Sequence, residues 1–357
     1  MNNLFQGIYK GKKVLLTGST GFKGSWLVLL LKKLGASVYG YSLNPNTTPN
    51  MFSECNINSI IDKQVIGDIK DSELLNKVVC ECKPDIIFHL AAQPLVRLSY
   101  EQPKDTYETN VIGTLNVYEA VRKSKCVKAI VSITTDKCYE NKEWEYGYRE
   151  IDPMGGYDPY SSSKGCVELL SNSYRRSFYE KEGILLATAR AGNVIGGGDW
   201  AKDRLIPDFV RAIDKNEKIN IRNPLAIRPW QHVLEPLYGY LTLGAELLKG
   251  NEDIASAWNF GPNDLNVLSV KEVLDKCIGI FGRGGYKIDD SNQPHEALLL
   301  KLDISKAKSI LKWKPILDVD KAIEMTIDWY KYFYNKEGNI LNYTNNQINY
   351  YLEHINL

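Results

Sequence analysis

The chain has 357 residues, 44% of them hydrophobic and 24% charged, enough to bury about three quarters of its unfolded surface without disulfides or metals as staples. Lys and Arg number 44 against 43 Asp and Glu, a net charge of +1, which gives no field for nucleic acid or for a membrane surface. Seven scattered cysteines (Cys55, Cys80, Cys82, Cys126, Cys138, Cys166, Cys277) and four distant histidines (His89, His232, His295, His354) show no metal-ligand spacing, so reduced thiols, a cytoplasmic location and no metal site are expected.

Lys13–Thr17 (KVLLT) is a short apolar run, read as a buried strand, with no signal-like apolar region before it. Phe22–Leu34 has helical spacing and stops before Gly35. Its most apolar part, Trp26–Leu31, ends at Lys32 and Lys33, far short of the roughly 20 residues of a membrane span. Ser37–Ser42, Ile86–Ala91 and Lys128–Ile133 are the next strands, and Glu73–Cys82, Asn110–Lys123 and Ser161–Tyr179 carry helical patterns. Strand and helix in alternation predict an α/β protein with a doubly wound parallel sheet of Rossmann type, because parallel neighbours need crossover connections.

After Ala191 the rhythm breaks. Gly196–Gly198 is a glycine run, and Asp199–Pro207 reads as a loop opening a helix with Leu205, Phe209 and Ile213 on its apolar face. A strand at Ile219–Arg222, a proline-bounded loop at Pro224–Pro229, and a capping-box helix from Ser269 and Glu272 to about Phe281 follow. Asp303 is positioned to cap another helix, Val319–Tyr334 is a third, and the Tyr-rich tail Asn339–Leu357 reads as a surface helix with Ile348, Tyr351, Leu352 and Ile355 in one stripe. The expected division is a dinucleotide-binding domain over 1–190, with a return near 232–260, and a smaller, mainly substrate-binding lobe over 191–357.

Gly18-Ser19-Thr20-Gly21-Phe22-Lys23-Gly24 lies between a strand and a helix. Glycines there let backbone approach a pyrophosphate, whose charge rests on the helix N-terminus. The position after the second strand is near Ser42, with no acid for a ribose hydroxyl and no Arg or Lys for a 2′-phosphate. The strand by itself therefore leaves the choice of dinucleotide open, and Asp68 and Ile69 are candidates to embrace the adenine. Tyr160 and Lys164 stand at i and i+4, on one helix face. A cation beside a phenol favours tyrosinate, as a general base near neutral pH requires. Thr135-Asp136-Lys137 follows the strand ending at Ile133, at the carboxyl end that faces the ligand crevice.

These motifs resemble the extended short-chain dehydrogenase/reductases. At Thr135-Asp136-Lys137 the sequence resembles the nucleotide-sugar 4,6-dehydratases, the commoner of which carry Thr-Asp-Glu. Lys137 in place of Glu is similar to the branch acting on cytidine-diphosphate glucose, as are Thr20–Gly24, Ala91–Arg97, Asp136–Tyr139, Gly155–Tyr160 and Arg228–Val233. The likeness runs to about Tyr334. Ser19-Thr20, where relatives have a histidine-containing turn, departs from it in a way that touches cofactor affinity.

The resemblance implies NAD, recycled within each turnover, held by Gly18, Gly21, Phe22, Lys23, Gly24, Ser42, Asp68, Ile69, Leu90, Ala91, Ala92, Thr109, Tyr160 and Lys164. It implies that Tyr160 takes the 4-hydroxyl proton and that Lys164 holds the nicotinamide ribose and depresses the phenol. Thr135 then bonds the 4-oxygen, Asp136 protonates the leaving 6-hydroxyl, and Lys137 takes the C5 proton. To act so, Lys137 must first shed its own proton, which burial and neighbouring cations favour; the alternative is an ion pair with Asp136 or Glu168. Gln93, Asn193, Arg204 and Arg228 are the implied substrate contacts, arginine suiting a diphosphate through its bidentate fork. Trp200 and Trp230 are either stacking platforms for a base or core. The product feeds deoxysugar and surface-polysaccharide synthesis. A homodimer or larger homo-oligomer through Asn110–Lys123 and Ser161–Tyr179 is expected. A 4-epimerase, a dehydratase on another nucleotide sugar or a heptose, and a non-catalytic nucleotide-sugar-binding protein are the alternatives.

Overall fold

The computed structural model describes residues 4–221, 223–263, 267–288 and 299–355. Its strands are β1 Lys13–Thr17, β2 Ser37–Ser42, β3 Lys63–Ile66, β4 Ile86–His89, β5 Ala129–Ile133, β6 Leu185–Arg190, β7 Val194–Ile195, β8 Ile219–Ile221, β9 Ile227–Pro229, β10 Gln231–His232, β11 Ala257–Asn259, β12 Val267–Ser269 and β13 Tyr286–Ile288. Seven of them form one sheet in the order β11-β6-β5-β4-β1-β2-β3. Every ladder in that sheet is parallel. The strand order reverses between β1 and β4, which opens a crevice at their carboxyl ends.

Period-two alternation serves two buried faces. Leu15, Ile87, Ile130 and Leu186 enter one apolar cluster with Val117 and Val121, whereas Val14, Leu16, Phe88 and Val131 enter the other with Trp26, Leu30 and Leu237. The covering helices are α1 Phe22–Lys33, α2 Met51–Glu54, α3 Ser72–Cys82, α4 Val96–Glu101, α5 Pro103–Tyr107, α6 Gly113–Ser124, α7 Pro159–Tyr174, α8 Glu180–Glu182, α9 Leu205–Asp214, α10 Leu234–Leu248, α11 Val270–Phe281, α12 Val319–Tyr334 and α13 Ile340–Ile355. Helix α1 is buried continuously from Gly24 to Leu31, which explains its apolar run without a membrane. Among the described residues no helix is long and apolar enough to cross one.

Several elements differ from expectation. β3, β6 and β11 are sheet strands that the pattern did not announce, being short or mixed in polarity. The expected helices at Asn110–Lys123 and Ser161–Tyr179 each include a wide π-type turn, at Glu108–Ile112 and Arg175–Tyr179. The expected loop at Pro224–Pro229 ends in β9, paired antiparallel with β12. β8 covers Ile219–Ile221, and Arg222 lies outside the described residues, as does His295. Asp303 accepts from the Ser305 amide, but a wide turn at Ala307–Leu311 follows in place of a regular helix.

The tail forms the expected helix, α13, with Ile348, Tyr351 and Leu352 of the expected stripe buried, Ile355 half-buried, and Asn342, Asn346 and Glu353 exposed. Within α13, Thr344, Ile348 and Tyr351 are buried. Trp329 donates its indole N–H to Thr344 at 2.8 Å, Gln347 donates to the Met325 carbonyl at 2.7 Å, and the Tyr351 hydroxyl donates to Glu235 at 2.8 Å. Thr344 and Gln347, polar residues beside that apolar stripe, thus find partners inside the fold and are buried with it.

Candidate active site

The turn after β1 shapes one wall of the crevice. Gly18 has φ of +74°, and a side chain there would put its Cβ 2.8 Å from the Ala91 amide nitrogen, so the first turn and the Leu90–Ala92 segment touch backbone to backbone. A Cβ at Gly24 would collide with the Gly18 carbonyl, which fixes α1 close against the loop. Gly21 caps α1 without any side-chain acceptor for its first amides. Such a bare helix start beside glycine backbone fits a pyrophosphate. Thr17 steadies the opposite side: its hydroxyl accepts from the Leu90 and Ala91 amides, each at 3.2 Å, and contacts His89 Nδ1 at 2.8 Å.

At the end of β2, Ser42 is buried and joined only to neutral groups. Ser19 Oγ lies 3.2 Å from Ser42 Oγ and donates to Gln64 Oε1 at 2.8 Å, and Gln64 Nε2 donates to Ser42 Oγ at 3.1 Å. This neutral set fits a ribose hydroxyl and presents no cation to a 2′-phosphate. Asp68 accepts from the Lys70 amide and pairs with the Lys70 ammonium, as a turn aspartate does. Ile69 is buried against Gly113, and Thr109 sits in the wide turn before α6. Phe22 lies under Gly196, where a Cβ would approach its ring to 3.1 Å.

The catalytic candidates meet at the carboxyl end of β5. Thr135, Asp136, Tyr160 and Lys164 are all buried, and Lys137 is half-buried. Thr135 Oγ1 donates to Asp136 Oδ1 at 2.9 Å, and Asn193 Nδ2 approaches Asp136 Oδ2 at 3.5 Å. A side chain at Gly192 would overlap the Asp136 carboxylate. Asp158 caps α7 by accepting from the Ser161 amide at 2.9 Å, which presents Tyr160 and Lys164 along one face. Glu168 is committed to Arg190, so it does not pair with Lys137.

One electrostatic expectation is corrected. Burial pushes the Tyr160 phenol up to about 12, partly offset by a hydrogen bond with Thr135 and reinforced by Asp136, and the cation acting on it is Arg204. Lys164 instead turns its ammonium to the Ile133 carbonyl at 3.3 Å, and burial pulls it down to about 8 against Glu168 and Cys138. Spacing of i and i+4 places two side chains on one face, but the cation that acts most on the phenol is Arg204. Lys23 also reaches this region: burial and then Arg204 draw it down to about 8, with Asp136 opposing and Lys164 adding to the fall.

Among the substrate candidates, Arg204 Nη1 donates to Asp199 at 2.7 Å and faces Tyr160 and Lys23. Arg228 lies in β9, its Nη1 donating to the Ile227 carbonyl at 3.0 Å. Pro229 beside it lines a cleft with Asp136, Gly192, Gln231, Asn263 and Lys301. Gln93 is spent on its own loop: Nε2 donates to Leu95 O and Thr106 Oγ1, and Oε1 accepts from the Leu95 amide. It shapes the wall instead of offering an amide to a ligand. Trp200 and Trp230 are core, Trp200 against Trp329, Tyr330 and Phe333.

Sequence reasoning missed Asn110, His89 and Gln231. Asn110 donates to both the Gln93 carbonyl and Ser163 Oγ, joining the crevice wall to α7. Gln231 donates to the Gly192 carbonyl at 3.1 Å, beneath Asp136. Only polarity inside an apolar stretch marks them in sequence. Among the described residues no group of His, Cys, Asp and Glu could hold a metal ion.

Comparison with known proteins places this geometry. The family described as GDP-mannose 4,6 dehydratase matches residues 15–326. The CDP-glucose 4,6-dehydratase of Salmonella typhimurium is 50% identical over 332 residues, 91% of this chain and 92% of that protein. The structure of dTDP-glucose 4,6-dehydratase from Bacillus anthracis, in complex with NAD, superposes with a TM-score of 0.73 at 25% identity, covering 92% of this chain and 98% of that one. A UDP-glucose 4-epimerase from Thermotoga maritima, solved with UDP-glucose, shares the fold with a TM-score of 0.76 at 22% identity, over 91% of this chain and 100% of that one.

Proposed function

This chain belongs to the GDP-mannose 4,6-dehydratase family, and from that premise we propose that it converts cytidine-diphosphate glucose to the 4-keto-6-deoxy sugar nucleotide with NAD as its recycled cofactor. The observation that carries the reading is Asp136 with Lys137, directly after Thr135 at the end of β5, with Thr135 and Asp136 facing the Tyr160 phenol. Epimerisation at C4 requires no acid for a leaving 6-hydroxyl, and a binding protein requires neither group. The half-identical Salmonella relative supports the same choice of reaction and nucleotide.

Gly18, Gly21 and Gly24 with the start of α1 would hold the pyrophosphate of NAD and Ser42 its ribose, and the nicotinamide would supply a reversible hydride acceptor for C4 and donor for C6. Tyr160 takes the proton of the 4-hydroxyl as C4 is oxidised, and Thr135 bonds the 4-oxygen. The ketone makes the C5 proton acidic. Lys137 removes that proton, and Asp136 gives a proton to the 6-hydroxyl as it leaves as water. Lys164 holds the nicotinamide ribose, and Arg204 supplies positive charge beside the phenol. Asn193, Arg204 and Arg228 are the contacts assigned to the sugar nucleotide.

In this reading, residues 1–190 with the return over 232–260 hold the dinucleotide and 191–357 mainly the substrate. The assembly in this reading is a homodimer or larger homo-oligomer through α6 and α7, with Leu169 of α7 and Ile112 of the turn before α6 as exposed apolar side chains. The test is to incubate the purified protein with a panel of nucleotide glucoses and follow mass. Loss of one water from cytidine-diphosphate glucose is expected. Inversion without loss of mass, or water loss from another nucleotide alone, overturns the assignment.

A further inference from the structure

Glu168 is nearly inaccessible to solvent and lies one turn beyond Lys164 on α7. Its two oxygens serve different elements. Oε1 accepts the hydroxyl of Thr134, the residue before Thr135, at 2.5 Å. Oε2 accepts the Thr188 hydroxyl and the Arg190 guanidinium, both at 2.8 Å, from β6. Arg190 continues the chain of contacts to the Tyr139 hydroxyl at 2.5 Å, and that hydroxyl donates to Asn259 on β11 at 2.8 Å. One carboxylate thus ties the end of β5, the middle of α7 and the neighbouring strand at the point where they meet.

We infer that Glu168 is a positioning residue for the reaction proposed above: paired with Arg190, it locks the Thr134–Lys137 strand end against α7 and supplies the anion that faces Lys164. The inference rests on that functional reading for the meaning of Lys164. The titratable groups facing Lys164 are Glu168 from its own helix, Cys138 from the turn after β5, His89 from β4 and Lys23 from α1. Burial holds His89 neutral, down to about 3, and pushes the Cys138 thiol well up, so it too is neutral. Burial would lift the Glu168 carboxyl as well, but Arg190, Thr134 and Thr188 outweigh it and keep Glu168 an anion. Glu168 is therefore the one negative charge in that set, set against the positive charge of Lys23. It opposes the burial that draws Lys164 down to about 8. Without it the ammonium loses its proton at lower pH.

The test compares Glu168→Gln, which keeps the shape and removes the charge, with Glu168→Asp, which keeps the charge. For each, turnover and the NAD dissociation constant are measured from pH 6 to 10. For Glu168→Gln, the alkaline limb of both profiles is expected to move toward acid by about one to three pH units, the range a neighbouring opposite charge sets. Glu168→Asp is expected to hold the limb near that of the parent while lowering kcat. A purely structural role lowers the melting temperature and leaves both limbs in place, and that result overturns the inference. The NAD profile separates the two readings: a parent protein that dehydrates no nucleotide sugar refutes the proposed reaction, while a shifted NAD limb still supports Glu168. Should Glu168→Gln fail to fold, Thr134→Val cuts the tie to β5 and keeps the ion pair. A fall in kcat of about tenfold or more with unchanged NAD affinity supports the inference, whereas parental kcat overturns it.

Discussion

Tyr160 and Lys164 share a helix face, yet burial drives their protons in opposite directions. The phenol is held protonated up to about 12, while the ammonium is weakened to about 8. A phenol so protonated cannot accept the 4-hydroxyl proton, so the proposed role of Tyr160 as base requires positive charge beside it, including the Arg204 guanidinium, to favour the tyrosinate. Tyr160→Phe is therefore expected to block hydride removal, and no reduced nicotinamide absorbance should develop on mixing with substrate. Lys137→Ala is expected to act later: C4 is oxidised, elimination stalls, and reduced nicotinamide accumulates. Its turnover should fall by about 10²–10⁴, the usual worth of a positioned proton-transfer group. Solvent deuterium should also enter C5 more slowly in this variant. Near-parental dehydration by a folded, NAD-binding Lys137→Ala protein would remove Lys137 from the role of base.

Among elements, α13 shows how a polar-looking segment becomes structural. Ile348 is fully buried in the larger apolar cluster, so Ile348→Ala should cost about 2–5 kcal/mol in chemical denaturation. The Tyr351 hydroxyl, with the Ile316 and Leu317 amides, converges on Glu235 of α10. Burial nonetheless raises the Glu235 carboxyl to about 7. Its folded form thus holds a proton more tightly than the unfolded chain, whose carboxyl titrates near 4.5. Stability from this group is full below about pH 4.5, falls as pH rises through 7, and stays level above. The loss amounts to roughly 3 kcal/mol. Glu235→Gln should flatten that slope, and melting temperatures between pH 5 and 8 that decline as steeply as in the parent would refute the assignment.

For the whole molecule, dinucleotide choice is proposed to rest on the neutral set Ser19, Ser42 and Gln64, and assembly on the outer faces of α6 and α7. NAD is expected to bind more tightly than NADP, because no cation meets a 2′-phosphate at the end of β2; equal turnover with NADP would contradict this. Light scattering at micromolar concentration should give at least twice the chain mass, and Leu169→Glu should lower it. A parent that scatters with the mass of one chain would dismiss the helical interface.

What the sequence determined by itself is whatever neighbours along the chain decide. The alternation of apolar runs and helical stretches specifies a parallel sheet, Gly18–Gly24 specifies a tight turn into α1, and Thr135–Lys137 follows a strand whose end must face the crevice. The spacing of four positions between Tyr160 and Lys164 puts both on one face. Tertiary structure decided what depends on residues far apart. Arg190 reaches Glu168 across 22 positions and Asn193 reaches Asp136 across 57, and no local pattern announces either meeting. The opposite shifts of Tyr160 and Lys164 follow from their burial at the end of β5. For α13 the apolar stripe was legible along the chain, but the meeting of Thr344, Gln347 and Tyr351 with Trp329, Met325 and Glu235 was not.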